Sequence, residues 1–139
     1  MNNLNKNKLL IKNFLSKLKK NNIKNFNTNK NFNKRLIQKE SYDPDINDCV
    51  NLYNTIIKTK RLCVLEFGSG WSTLVIAKAL YNLKKKYFKK VRKIRKQDVF
   101  CLYAIETSQK WRRITISRIP KYIKKEIKIS IVISNAIMS

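Results

Sequence analysis

Gly68 and Gly70 are the only glycines in a chain of 139 residues, and they stand two apart directly after an apolar run. A Gly-x-Gly at the carboxyl end of a strand lets the backbone bend sharply and lets a ligand approach main-chain N–H groups with no Cβ in the way. A helix starting just beyond presents its N-terminus, with its partial positive charge, to the same point. A plain strand-to-helix turn would need one glycine at most. Around the bend the sequence reads Glu66-Phe67-Gly68-Ser69-Gly70-Trp71-Ser72. A carboxylate two residues before the first glycine repels a pyrophosphate but suits a ligand carrying an ammonium and a sulfonium. The next apolar run ends in a second acid, Glu106, where nucleotide-binding α/β folds place a carboxylate on the ribose hydroxyls. Two acids at the tips of neighbouring strands point to a cationic nucleoside.

Other chemistries are excluded or weakened. The chain has no His, which removes imidazole bases, Ser-His-Asp triads and His-ligated metals. The third glycine of a dinucleotide fingerprint is replaced by Thr73, and the G-x-x-x-x-G-K-[ST] of a phosphate-binding loop is absent. Cys49, Cys63 and Cys101 have no C-x-x-C spacing, so neither a disulfide framework nor a zinc site is expected. A reducing, cytoplasmic setting is the default. Cys63 and Cys101 fall inside apolar runs and read as small buried hydrophobes rather than nucleophiles. Asp43, Asp45 and Asp48 lack calcium-loop spacing and read as turn and first-turn charges. No apolar run approaches the ~20 residues of a membrane span.

The elements that would position these residues follow from periodicity. Leu9, Leu10, Phe14, Leu15 and Leu18 fall at helical spacing, which predicts a short basic amphipathic helix. Asn21 to Asn33 offers little to bury and reads as a mobile tether. From the turn cluster at Ser41–Asp45, Ile46, Cys49, Val50, Tyr53, Ile56 and Ile57 form one helical stripe. Leu62 to Phe67 reads as a buried parallel strand. Ser72-Thr73 reads as the N-cap of a helix that runs into the Lys-rich stretch. Val99 to Ile105 is a second strand. Thr107-Ser108 caps a helix carrying Trp111, Ile114 and Ile119, with Trp111 expected in the core. Ile127 to Ile133 is a third strand. Strands alternating with helices require crossover connections, which predicts an α/β fold with a parallel sheet. A basic N-terminal arm, 1–40, would precede a domain over 41–139.

Net charge is +24, and it is concentrated: 11 basic residues against one acid in 1–40, nine against one in 84–98. Two explanations stand. One is an anionic partner met by the arm and by Lys84–Lys96. The other is composition alone, because Lys, Asn and Ile are overused together while Gly, Pro and Ala are scarce.

With these residues in view, the sequence resembles class I S-adenosylmethionine-dependent methyltransferases. Val64 to Thr73 looks like their first motif, and Tyr103-Ala104-Ile105-Glu106-Thr107-Ser108 looks like the second. The resemblance covers residues 61–139 at most. It implies a partial Rossmann-like sheet of three parallel strands with flanking helices, and S-adenosyl-L-methionine as cofactor. By that resemblance Glu66, Gly68, Ser69 and Gly70 would line the methionine end, Glu106 would hold the ribose, and Trp71 and Ser72 would lie near the site. No catalytic residue is identified. Glu106 lies 36 positions beyond Gly70, against roughly 20 in nucleotide-binding units, with Lys84–Asp98 taking up the excess. The strand order implied is 3-2-1, and the sequence ends where a fourth strand would follow, so a truncated domain is expected, with β1 an exposed edge and cofactor bound weakly or not at all. Two other functions remain: a basic, non-enzymatic nucleic-acid-binding protein, and a nicotinamide-type Rossmann half.

Overall fold

The structure is a computed structural model that describes residues 2–26, 43–95, 97 and 99–135. It divides into two compact units, Met1–Val50 and Asn51–Ser139. In the first, helix α1 (Asn3–Phe26) carries Ile11, Phe14, Leu15 and Leu18 as one buried stripe. It is longer than the apolar spacing requires. The helix continues through Asn21–Phe26, where the sequence suggests a tether, because Asn lowers helix propensity without breaking it and no Gly or Pro intervenes. The rest of that tether, 27–33, lies outside the described residues, as do 34–42.

Helix α2 (Ile46–Thr59) begins where the turn cluster places it. The Asp45 carboxylate accepts the N–H groups of Asn47 and Asp48 at 2.8 and 3.1 Å, satisfying donors that a helix start otherwise leaves unmade. Within the second unit, Tyr53 and Ile56 of α2 are buried, and Asn82 donates to the Tyr53 hydroxyl at 2.7 Å.

The second unit is an α/β layer. Strands β1 (Cys63–Phe67), β2 (Cys101–Glu106) and β3 (Lys128–Ile133) form a parallel sheet in the order β1-β2-β3. Helix α3 (Trp71–Ile94) connects β1 to β2, and α4 (Gln109–Arg118) and α5 (Lys121–Glu126) connect β2 to β3. The α5 turn is not apparent in the sequence: it has six residues, a single buried one, Ile123, and follows Pro120, which reads as a breaker but here serves as the N-cap. The strands add in one direction. Right-handed crossovers therefore put α3, α4 and α5 on the same face.

Register separates the two faces. Leu102, Ala104 and Ile131 point to the helices and are buried. Against them lie Leu74, Ala77, Leu80 and Leu83 of α3, Ile114 of α4 and Ile123 of α5, all in the core. Cys63, Leu65 and Phe67 lie on the other face with Tyr103 and Val132, and this face is open: Phe67 is 80% exposed and Leu65 57%. The expectation of a buried first strand is thus corrected. A continuous apolar run suggests burial on both sides, but among the described residues of the second unit helices cover one side of β1 only. Cys63 is exposed for the same reason, whereas Cys101, one strand further in, is buried. Trp111, expected in the core, is only half-buried.

Helix α3 has two characters. Residues Thr73 to Leu83 are almost continuously buried, while Lys84 to Ile94 carries the cationic stretch on partly exposed turns. This long helix is what separates Gly70 from Glu106. Lys96 and Asp98 lie outside the described residues. Among those described, no helix is long and apolar enough to cross a membrane.

Candidate functional site

The site is built at the carboxyl ends of β1 and β2. The Gly68 N–H reaches the carbonyl of Ile105 at 2.7 Å, extending the ladder one residue past the strand, and Gly68 then turns away with φ at +91°. That backbone region is one L residues rarely adopt. Gly70 is different. Its φ of 168° is extended backbone open to any residue, and it is the N-cap of α3. A Cβ added at either glycine would meet no atom within 4 Å. The sharp bend therefore explains Gly68 but not Gly70, whose absent side chain serves neither conformation nor packing within the chain. What it leaves is open space against the α3 N-terminus.

Helix α3 starts at Trp71, so the cap expected at Ser72-Thr73 is corrected to Gly70. Thr73 acts three residues in. Its Oγ1 accepts the Gly70 N–H at 2.9 Å and donates to Glu66 Oε2 at 2.7 Å. One fully buried hydroxyl thus joins the strand carboxylate to the turn. The residue that weakens the dinucleotide fingerprint is the bracket of this turn. Its signal in the sequence is the capping spacing, a hydroxyl three residues after the cap. The Ser72 hydroxyl donates to the other oxygen, Glu66 Oε1.

Glu106 is held just as closely. Its Oε2 accepts the Ser69 hydroxyl at 2.6 Å, and its Oε1 accepts the N–H groups of Thr107 and Ser108 at 2.8 and 2.9 Å. The buried Thr115 hydroxyl of α4 lies 3.4 Å from the Ser69 hydroxyl. Ser108 caps α4 as its position predicts, accepting the Trp111 N–H at 3.3 Å. Thr115 belongs to no motif, and nothing in the sequence singles it out.

The two acids share one face of the sheet and one rim, close enough that the charge of Glu106 raises the pKa of Glu66. Burial is the main reason Glu66 titrates above the usual carboxylate range; the hydroxyls of Ser72 and Thr73 pull the other way. Burial also opposes ionisation of Glu106. There, the Ser69 hydroxyl and the N–H groups of Ser108, Thr107 and Ser69 outweigh it, and the pKa falls below the usual 4.5. Glu106 is the fixed anion, and Glu66 takes a proton first. A carboxylate offers about four lone-pair sites. Glu66 spends two on the contacts above and retains capacity for a ligand donor, whereas the Ser69 N–H joins the three contacts above at Glu106 and fills its set.

Trp71 opens α3 and is half-buried. The Arg118 guanidinium of α4 stacks over its ring at 4.4 Å, and burial lowers the Arg118 pKa. The ring is thus clamped between a helix start and a helix end rather than loose at the rim. All seven residues singled out from the sequence (Glu66, Gly68, Ser69, Gly70, Trp71, Ser72 and Glu106) fall at this one end of the sheet. Among the described residues, no group of three His, Cys, Asp or Glu could hold a metal ion. No protein-family model, curated protein or solved structure matches the chain.

The geometry of the turn separates the two glycines experimentally. Gly68→Ala should cost about 1–2 kcal/mol in urea unfolding because an L residue is strained there, while Gly70→Ala should stay within ~0.5 kcal/mol. For Glu106, a depressed native pKa means that its stabilisation is present above the ordinary value of 4.5 and is lost as pH falls through the native value. The stability gap between wild type and Glu106→Gln should therefore be full at neutral pH and close on acidification.

Proposed function

We propose that this chain is the cofactor-binding portion of an S-adenosyl-L-methionine-dependent methyltransferase. The observation that carries the reading is the pairing of two same-face carboxylates at adjacent strand tips with open space above Gly68 and Gly70. A sulfonium and an ammonium are cations, and a rim with two acids attracts them where a pyrophosphate would be repelled. Glu66, Gly68, Ser69 and Gly70 would receive the methionine end, with Trp71 and Ser72 beside them. Glu106 would accept from the ribose hydroxyls in exchange for one of the neutral donors it now holds, such as the Ser69 hydroxyl. The cofactor, when bound, supplies an activated methyl group for transfer to a nucleophile, a reaction that depends mostly on positioning. The chain's own residues supply the charge and the rigid turn. A cation beside Glu66 offsets the burial that raises its pKa, so binding should release a proton from Glu66 where that group is protonated.

The test is thermal unfolding with S-adenosylmethionine and, separately, with NAD. The expected result is a rise in Tm with the sulfonium compound only, abolished in Glu106→Ala and weakening as pH falls through the raised Glu66 pKa. Equal protection by NAD, or protection by S-adenosylmethionine that survives Glu106→Ala, would overturn the reading.

A second reading, a polyanion-binding protein, is favoured by a cleft of about 690 Å³ at the opposite end of the second unit. Lys85, Lys86, Lys89 and Arg92 line it, and its one acid, Glu126, is already engaged by Lys84 and Lys85 at 3.9 and 3.4 Å. On this reading a single-stranded oligonucleotide binds with a steep salt dependence. Changing Lys86, Lys89 and Arg92 to Gln lowers the slope of log K against log salt by up to roughly one for each phosphate that is no longer neutralised, while Glu106→Ala has no effect.

A further inference from the structure

The sequence suggests that Cys63 and Cys101 are small buried hydrophobes rather than nucleophiles; in the structure they are register partners at the start of β1 and β2. Their Sγ atoms lie 2.8 Å apart, closer than sulfurs that merely touch. Both project from the open face of the sheet. Cys63 is exposed, whereas Cys101 is buried and also lies 3.4 Å from the Val99 carbonyl. Neighbouring strands are about 4.8 Å apart, inside the Cα separation of roughly 4.4–6.8 Å over which a disulfide closes. The third cysteine, Cys49, is buried in α2.

We propose that Cys63 and Cys101 form a redox site that closes to a cross-strand disulfide by exchange with a low-molecular-weight disulfide. The exposed Cys63, as thiolate, attacks the small disulfide; one sulfur–sulfur bond forms as another breaks, and a small thiolate leaves. Cys101, after giving its proton to solvent, attacks the Cys63 sulfur and expels the second small thiolate. Both leaving thiolates take up a proton. The protein loses two electrons and two protons, and one small disulfide becomes two thiols. The order of attack follows from the surroundings: burial first, then its neighbour Cys63, push the Cys101 pKa up to about 11, so Cys101 stays protonated until its partner has reacted.

Closing this bond pins β1, which has a strand on one side only, to β2. It closes a loop across 38 positions of sequence. Glu66 and Glu106 lie at the other end of the same strands, so the link would stabilise the edge without entering the glycine turn. A disulfide that keeps one sulfur, that of Cys63, open to attack by a thiolate can be reduced again, which suits a reversible latch.

The experiment equilibrates the full chain with mixtures of reduced and oxidised glutathione, alkylates the remaining thiols, and maps linked peptides by mass spectrometry. The expected product is a monomer lighter by two hydrogens, with the peptide holding Cys63 joined to that holding Cys101 and with Cys49 alkylated. Its Tm should exceed that of the reduced chain by roughly 5–10 °C, and reductant should reverse both changes. Cys63→Ser, at an exposed position, should abolish the link, as should Cys101→Ala, which keeps the buried site apolar. Glutathione retained on Cys63 with no internal link, a disulfide-linked dimer, or linkage to Cys49 would each overturn the proposal.

Discussion

Two carboxylates cannot share one rim of a small sheet unless each is stabilised against the other and against burial. In this protein that requirement is met by hydroxyls rather than by cations. Ser72 and Thr73 donate to Glu66, Ser69 donates to Glu106 through its hydroxyl and its N–H, and the first N–H groups of the β2–α4 turn complete the set of donors around Glu106. The consequence is structural as much as electrostatic. Because the same Thr73 oxygen also accepts from Gly70, the turn, the helix start and the strand tip cannot move independently. A carboxylate held by neutral donors keeps its charge available to the outside, whereas one neutralised by Lys or Arg would not. In a chain with 32 basic residues, it is the more informative that these donors are all hydroxyls and backbone N–H groups.

Much of this is legible in the sequence, for identifiable reasons. Two glycines in a Gly-poor chain mark the turn, and acids at the ends of two apolar runs mark the rim. Ser108 is recognisable as a cap because it directly precedes the Trp111–Ile114 spacing. What is not legible depends on the third dimension. Whether Leu62–Phe67 is covered on one side or two rests on which face the crossovers take, and periodicity in so short a strand does not report that. The in-register meeting of Cys63 with Cys101 needs the strand pairing. Thr115 sits beside Ser69 only because α4 returns over β2. The α5 turn is hidden by its brevity, since a helix of six residues depends on packing of Ile123 rather than on propensity.

The open face follows from topology. Strands that add in one direction with right-handed crossovers place every connecting helix on one side, so the apolar surface of Leu65, Phe67, Tyr103 and Val132 is a product of strand order, not of a mistake in patterning. The same order leaves β1 and β3 as edges. On the β3 side, Arg112 Nε donates to the Ile131 carbonyl at 2.6 Å, partly occupying groups that would otherwise template further strands.

The division of α3 into a core-embedded start and a cationic end carries a consequence for how the molecule responds to its surroundings. Mutual repulsion among the lysines and arginines beyond Leu83 works against the last turns of the helix, and dissolved ions relieve it within about 10 Å at 0.1 M. The opening turns are fixed by apolar contacts that ions scarcely touch. Ionic strength should therefore bear first on the distal end of the helix, and much less on the apolar contacts that seat its opening turns beside the acid-lined rim, at the far end of these 24 residues.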